Sequence, residues 1–273
     1  MRPKKIDVLN IEIDDFTFEE FLDHLEQGVV FTTNVDHIIK LQSDKKFFQI
    51  YRQADYVICD SRIVLWSSSF ILKKTIREQI TGSDFFPAFC QHHHNNEKIK
   101  IFLLGGSEES VKLAAANINE KTNSQIIVGH YSPPFGFEND DKLNAHIIDT
   151  VNKSKATVLT VGVGAPKQEK WIMKHKHLMP EVKIFLAVGA TIEFESGLLR
   201  RAPQWMSRYG LEWAFRLMKE PQRLWKRYLL EAPPFFLLLL KQRLGTYQPP
   251  WPNEVYQNAD PSGDYKQSSI NSR

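Results

Sequence analysis

The stretch Thr157–Trp171, TVLTVGVGAPKQEKW, carries residues whose types and order suit the holding of an anion. Val158, Leu159, Thr160, Val161 and Val163 form a β-branched apolar run that reads as a strand buried on both faces. The chain then passes Gly162 and Gly164, meets Pro166 at an expected first helical position, and sets Lys167, Gln168 and Glu169 on the first turn. At such a strand-to-helix corner, backbone N–H groups and the positive end of the helix dipole face outward, and glycine lets a ligand approach the backbone. Lys167 adds a cation and Gln168 an amide donor. A bland tight corner and a phosphate site both remain open on this stretch alone.

Other expected strand ends carry polar residues too. Val29–Thr33 runs into Asn34 and Asp36, with Thr32 at its end; Tyr56–Cys59 runs into Asp60; Ile99–Leu104 runs into Gly105, Gly106 and Ser107. Asp60 fits two roles, an N-cap of the next helix or a carboxylate at the ligand edge of a sheet, free to act as a general base. Gly105-Gly106 either makes a turn or admits a nucleotide, and Ser107 is placed to cap a helix over Glu108–Lys121.

The elements that must position these groups alternate along the chain. Ile6–Ile13 reads as a strand, Phe16–Glu26 as a helix, Asp36–Ala54 as one helix from the spacing of Ile39, Phe47 and Ile50, Gln125–Val128 as a strand, Lys142–Lys153 as a helix and Lys183–Val188 as a last strand. The pattern predicts an α/β fold with a Rossmann-like, mostly parallel sheet and helices on both faces. That core is expected over 1–197, followed by a helical appendage at 198–245 and a disordered tail at 246–273.

Charge is uneven. Arg200–Arg227 holds eight cations against Glu212 and Glu220, net +6 in a chain of +3, so the remainder is −3. Trp205, Trp213 and Trp225, three of the six tryptophans, lie in the same stretch. Basic residues interleaved with aromatics suit nucleic acid, an anionic membrane surface or a diphosphate. On helical spacing Arg216, Lys219, Arg223, Lys226 and Arg227 share one stripe, with Pro221 as a kink. Two cysteines at 59 and 90 form neither a disulfide framework nor a metal pattern, which favours a reducing, cytoplasmic setting, and Cys59 reads as a core residue. No apolar run reaches the roughly 20 residues that span a bilayer. Pro234–Leu240, PFFLLLL, reads either as a buried helix end or as an interfacial anchor. Consecutive His92, His93 and His94 point about 100° apart on a helix and cannot converge on one ion. Asp14-Asp15 and Asp140-Asp141 read as solvated turns.

Taken in order, Thr32-x-Asn34, Ala54-Asp55…Asp60, Thr81-Gly82-Ser83-Asp84, Phe102–Gly106, Val161–Glu169, Arg201-Ala202-Pro203 and Leu211-Glu212-Trp213…Arg216-Leu217…Glu220-Pro221…Arg223 resemble the motifs of the WecG/TagA/CpsF glycosyltransferases, from about Val29 to Arg227. The resemblance implies a membrane-associated inverting enzyme. Such enzymes move a sugar from a UDP-sugar (N-acetylmannosamine, its uronic acid, glucose or glucuronic acid) to a polyprenyl-diphosphate-linked sugar in surface polysaccharide or teichoic acid assembly. It implies Asp60 as the base, with Thr32, Asn34 and Gln168 as catalytic-pocket groups. Donor or nucleotide binding falls to Gly105, Gly106, Gly162, Gly164, Lys167 and Glu193, the last standing where the family has Asp. Arg216, Arg223, Lys226 and Arg227 are expected at the acceptor or departing diphosphate, with no metal and no cofactor, since no Asp-x-Asp motif is present. Gln79 replaces a family arginine, with Arg77 as the alternative cation. The expected setting is the cytoplasmic face of the membrane, with a homo-oligomer and without nucleic acid. The competing expectation is a non-catalytic Rossmann-like module that binds a nucleotide and docks on anionic membranes.

Overall fold

The computed structural model describes residues 3–251, the side chains of Gln204 and Arg223 excepted. Residues 252–273, most of the expected tail, lie outside the described residues. Strands β1 (Lys5–Val8) and β2 (Ile11–Asp14) form an antiparallel hairpin. Strands β3 (Gly28–Thr33), β4 (Tyr56–Cys59), β5 (Ile101–Gly105), β6 (Ile127–Tyr131), β7 (Val158–Gly162) and β8 (Ile184–Ala187) form a second sheet in the order β4-β3-β8-β7-β5-β6. Every pairing in it is parallel. All residues of β5, β7 and β8 are buried, as apolar strands covered by helices on both faces must be. Two apolar clusters fill those faces. Phe31, Phe102, Leu104, Leu159 and Trp171 belong to one, and Val30, Ile58, Leu103, Val158 and Leu186 to the other. Successive strand residues alternate between them.

Several elements differ from the sequence expectation. The Ile6–Ile13 strand is the β1–β2 hairpin, which turns at Leu9 with φ 56. Nothing but Asn10 marks that turn in the sequence. Asp14 and Asp15 are buried, not solvated: Asp14 accepts the Val57 N–H at 2.8 Å, and Asp15 accepts the Arg77 N–H at 2.8 Å. The Asp36–Ala54 helix is two helices, Val35–Lys40 and Lys45–Tyr51, because Asp44 caps the second by accepting the Phe47 N–H at 2.9 Å. The expected cap at Ser107 is present and begins helix Glu108–Thr122.

The C-terminal segment is not one helix with one basic stripe. Helix Glu212–Lys219 ends at Glu220, helix Pro221–Trp225 starts afresh with proline at its first position, and a π-helical turn follows at Lys226–Glu231. Helix Pro234–Arg243 then packs on helix Val35–Lys40 with Phe235 and Leu239 fully buried in the larger core cluster. Beyond it, where disorder was expected from Thr246, the Tyr247 hydroxyl donates to Gln42 Oε1 at 2.7 Å and the Trp251 indole N–H to the Leu41 carbonyl at 3.1 Å.

Candidate active site

The carboxyl ends of the parallel strands converge on one cavity of about 450 Å³. This is the edge at which open α/β sheets bind ligands. Its wall includes Thr32 and Asn34 after β3, Asp60 after β4, Gly106 after β5, Pro133–Phe135 after β6, Gly162–Ala165 with Lys167 and Gln168 after β7, and Val188–Thr191 with Glu193 after β8. Glu212, Arg216 and Arg227 of the C-terminal segment complete it.

Asp60 does not cap the next helix; Ser61 does, its hydroxyl accepting the Val64 N–H at 3.4 Å. The Asp60 backbone is held on both sides, its N–H donating to the Thr33 carbonyl at 2.9 Å and its carbonyl accepting the Gln79 side-chain amide at 2.7 Å. The carboxyl group is thereby left to the cavity. Burial pushes its pKa well above the ordinary aspartate value, the charge of Glu212 pushes the same way, and Arg216 pulls it down, with Asp84 and Arg201 adding smaller opposing effects. Gln79 thus braces the Asp60 backbone. Arg77 serves elsewhere, bonded to Glu20 and Asp15, and the cations that act on Asp60 are Arg216 first and then Arg201, which donates to Asp84 at 2.6 Å.

Each neighbour carries a defined capacity. The Thr32 hydroxyl donates to the Ala187 carbonyl at 3.0 Å, so it has only lone pairs left to offer. Asn34 Oδ1 accepts the His37 N–H at 3.2 Å, capping helix Val35–Lys40, and its amino group remains the donor it can present to the cavity. Gln168 is 1% exposed: its Oε1 accepts the Gly164 N–H at 3.2 Å and its Nε2 donates to Glu169 Oε1 at 2.8 Å. It therefore fixes the shape of the Gly162–Ala165 wall and keeps one N–H in reserve. Glu169 is fully buried, which raises its carboxyl pKa to about 7. Lys167 stands 4.6 Å over the exposed Phe135 ring and 3.5 Å from Glu138. Pro166 precedes helix Lys167–His175 as its cap, one residue earlier than expected.

The glycines divide into two kinds. Gly105 has φ 135, and a Cβ there would meet the Gly162 carbonyl oxygen at 2.4 Å; it packs strand against strand and does not line the cavity. Gly106, Gly162 and Gly164 do line it. Among the cations expected there, Arg216 and Arg227 face the cavity, each with a buried Nε that has no protein acceptor among the described residues. Lys226 is exposed and sits 5.7 Å over the Trp225 ring, away from the cavity. Lys226 and Arg227 are adjacent in the π-helical turn, and neighbouring helical side chains point in different directions. The Arg223 side chain lies outside the described residues.

Sequence reasoning missed three groups at this wall. His37 is buried with Nδ1 2.6 Å from the Tyr51 hydroxyl, and burial lowers its pKa to about 3, so it stays neutral. One turn after Asn34 is the only signal it gave. Glu212 was visible within the Leu-Glu-Trp motif but was not assigned to the site. Phe135, 99% exposed at the mouth, sits in a Pro-Pro-Phe-Gly loop.

A Bacillus subtilis (strain 168) protein named N-acetylglucosaminyldiphosphoundecaprenol N-acetyl-beta-D-mannosaminyltransferase is 28% identical over 241 residues, covering 85% of this chain and 90% of its own. Proteins of the same name from Staphylococcus aureus strains MW2 and MRSA252 are 24% and 25% identical over 243 residues, covering 85% of this chain and 91% of theirs. The sequence pattern of the glycosyl transferase WecG/TagA/CpsF family matches residues 6–249. The chain, with its parallel sheet and its cavity at the strand ends, belongs to the WecG/TagA/CpsF family of glycosyltransferases.

Proposed function

We propose that this glycosyltransferase moves a sugar, with inversion, from a UDP-sugar to a polyprenyl-diphosphate-linked sugar. The observation that carries the reading is the placement of a raised-pKa carboxylate, Asp60, and two arginines whose Nε donors have no acceptor among the described residues, Arg216 and Arg227, in one cavity. Asp60 takes the proton of the acceptor hydroxyl as its oxygen attacks the anomeric carbon. The bond from that carbon to the diphosphate oxygen breaks on the opposite face, and UDP leaves with the electron pair. Arg216, Arg227, Lys167 and the backbone N–H groups of the Gly162–Ala165 wall stabilise its charge, so no metal is required. Names of the relatives support N-acetylmannosamine as the transferred sugar and undecaprenyl-diphosphate-linked N-acetylglucosamine as the acceptor.

No helix among the described residues is long and apolar enough to cross a membrane. The C-terminal segment instead exposes Trp205, Met218, Leu229, Leu230 and Leu237 beside its arginines and lysines. An apolar patch rimmed by cations suits an anionic lipid surface, and a lipid-linked acceptor is delivered there.

A screen of UDP-sugars against short-chain polyprenyl-diphosphate acceptors carrying N-acetylglucosamine or glucose identifies the pair. Asp60→Asn is expected to keep UDP affinity within about twofold and to lower transfer by roughly 10²- to 10⁴-fold. If no pairing turns over with detergent or vesicles present, the chain is a nucleotide-binding module and the reading falls.

A further inference from the structure

Helix Val35–Lys40 supplies more than the Asn34 cap and His37. Its Asp36 is 9% exposed and faces two cations. Lys40, one turn on in the same helix, lies 2.7 Å from Asp36 Oδ2, and Arg227 Nη2, nearly two hundred residues away in sequence, lies 3.3 Å from the same oxygen. The geometry points to Asp36 as the positioning residue that docks Arg227, and with it the π-helical turn Lys226–Glu231, at the rim of the cavity.

Three observations carry this. First, none of the residues Lys226–Glu231 is buried, and the turn's ring contact, Tyr228 to Trp213 with centroids 5.9 Å apart, ties it to the same C-terminal segment and not to the sheet core. The segments on either side are fixed independently: Leu224 is buried before it, and Phe235, Leu239 and the Gln242 bond to the Leu9 N–H (2.8 Å) hold the chain after it. Second, the pair uses Nη2 of Arg227, while its Nε is buried with no acceptor among the described residues and the residue lines the cavity. A buried donor without a partner is costly, and an anionic ligand would supply the missing acceptor. Third, one carboxylate between two cations leaves the cluster with a net positive charge. Asp36 therefore orients Arg227 without cancelling its attraction for an anion. It follows that occupancy and docking are linked: an anion held by Arg227 tightens the turn, and a tightly docked turn binds the anion better. Only this last consequence rests on the reading of the cavity as a UDP-sugar site; the docking itself does not.

The test compares Asp36→Asn, Arg227→Met, the double variant and Lys40→Met in the full chain. It reads backbone hydrogen exchange over residues 221–231 and UDP affinity by calorimetry. Asp36→Asn is expected to speed exchange in 226–231 and to weaken UDP roughly three- to thirtyfold, the range for removing one partner of a partly buried charge pair. In the Arg227→Met background the same change should do nothing further, because the two residues act as a unit. Lys40→Met should leave exchange in 226–231 within about twofold, because Asp36 still holds Arg227, and should weaken UDP less than Asp36→Asn does, through the lost charge alone. An Asp36→Asn effect of equal size in both backgrounds means that Asp36 supports its own helix and overturns the proposal. Should Asp36→Asn fail to fold, Arg227→Met alone must loosen the same six residues; unchanged exchange there overturns it equally. If the unaltered protein binds no UDP, the functional reading fails, while the exchange data still decide the docking.

Discussion

Asp60 pays for its position in stability. An ordinary aspartate in the unfolded chain loses its proton near pH 4, whereas burial and the Glu212 charge keep the folded carboxyl protonated to higher pH. Across that window the unfolded state binds fewer protons, so stability falls as pH rises and levels off above the raised folded value. Asn does not titrate. Thermal melts of Asp60→Asn should therefore match the parent near pH 4 and exceed it by a growing margin toward neutral pH; an equal or smaller margin at neutral pH would contradict the burial argument. Since Glu212 adds its charge to the same effect, Glu212→Gln should move the acidic limb of kcat/KM to lower pH. At this scale the sequence was informative where residue type and strand end coincide. Thr32, Asn34, Asp60 and Gln168, read from separate motifs, meet in one cavity. Asp36 stood at such a strand end without a role, and His37 gave no signal, because their placement depends on Arg227 and on Tyr51, partners that only the folded chain brings near.

The strand ends of the sheet approach so closely that side chains beyond hydrogen do not fit between them. A Cβ on Gly162 would lie 2.6 Å from the Gly189 carbonyl oxygen and 3.0 Å from Ile192 Cδ1. Gly162 is not among the glycines with positive φ, so alanine there meets no backbone penalty and the contact alone is tested. Gly162→Ala should cost about 1–3 kcal/mol through overpacking, lower Tm by several degrees and weaken UDP binding, because β7 and β8 must part beneath the cavity floor. A variant melting with the parent would show that the gap is softer than it looks. Elements were legible where apolar run and terminator agreed, as for Tyr56–Cys59, found with the expected bounds. They were less so where a cap interrupts a sustained helical spacing, as Asp44 does. Helix Gly82–His92 went unread, since its Thr-Gly-Ser start and internal Pro87 both look like breakers although Thr81 caps it.

At the scale of the whole molecule, the apolar run Pro234–Leu240 decides how far the C-terminal segment is an appendage. The sequence left two readings for it, a buried helix end or an interfacial anchor, and the structure buries one face of the run and exposes the other. Phe235 and Leu239, four residues apart, are fully buried in the main core, while Phe236, Leu237 and Leu240 are 48%, 57% and 49% exposed. Periodicity could not reveal this, because a uniformly apolar helix has no polar face to mark its outside. From the sequence, a chain cut after Gly197 is expected to remain a folded UDP-binding core; the burial of Phe235 and Leu239 argues for a much less stable one. The cut removes two fully buried side chains worth about 1.5–3 kcal/mol each, a large part of the roughly 5–15 kcal/mol that keeps a domain folded. It also uncovers the surface of helix Val35–Lys40 on which they pack. The truncated chain should melt far below the full one, and Phe235→Ala alone should cost about 3–5 kcal/mol. Leu237→Glu, on the outer face of the same turn, should leave Tm nearly unchanged while reducing sedimentation with anionic vesicles. Equal Tm losses for Phe235→Ala and Leu237→Glu would deny the division of the helix. Unaltered vesicle binding by Leu237→Glu would move the membrane surface elsewhere on the molecule, and the cations around the cavity would then serve the diphosphate alone.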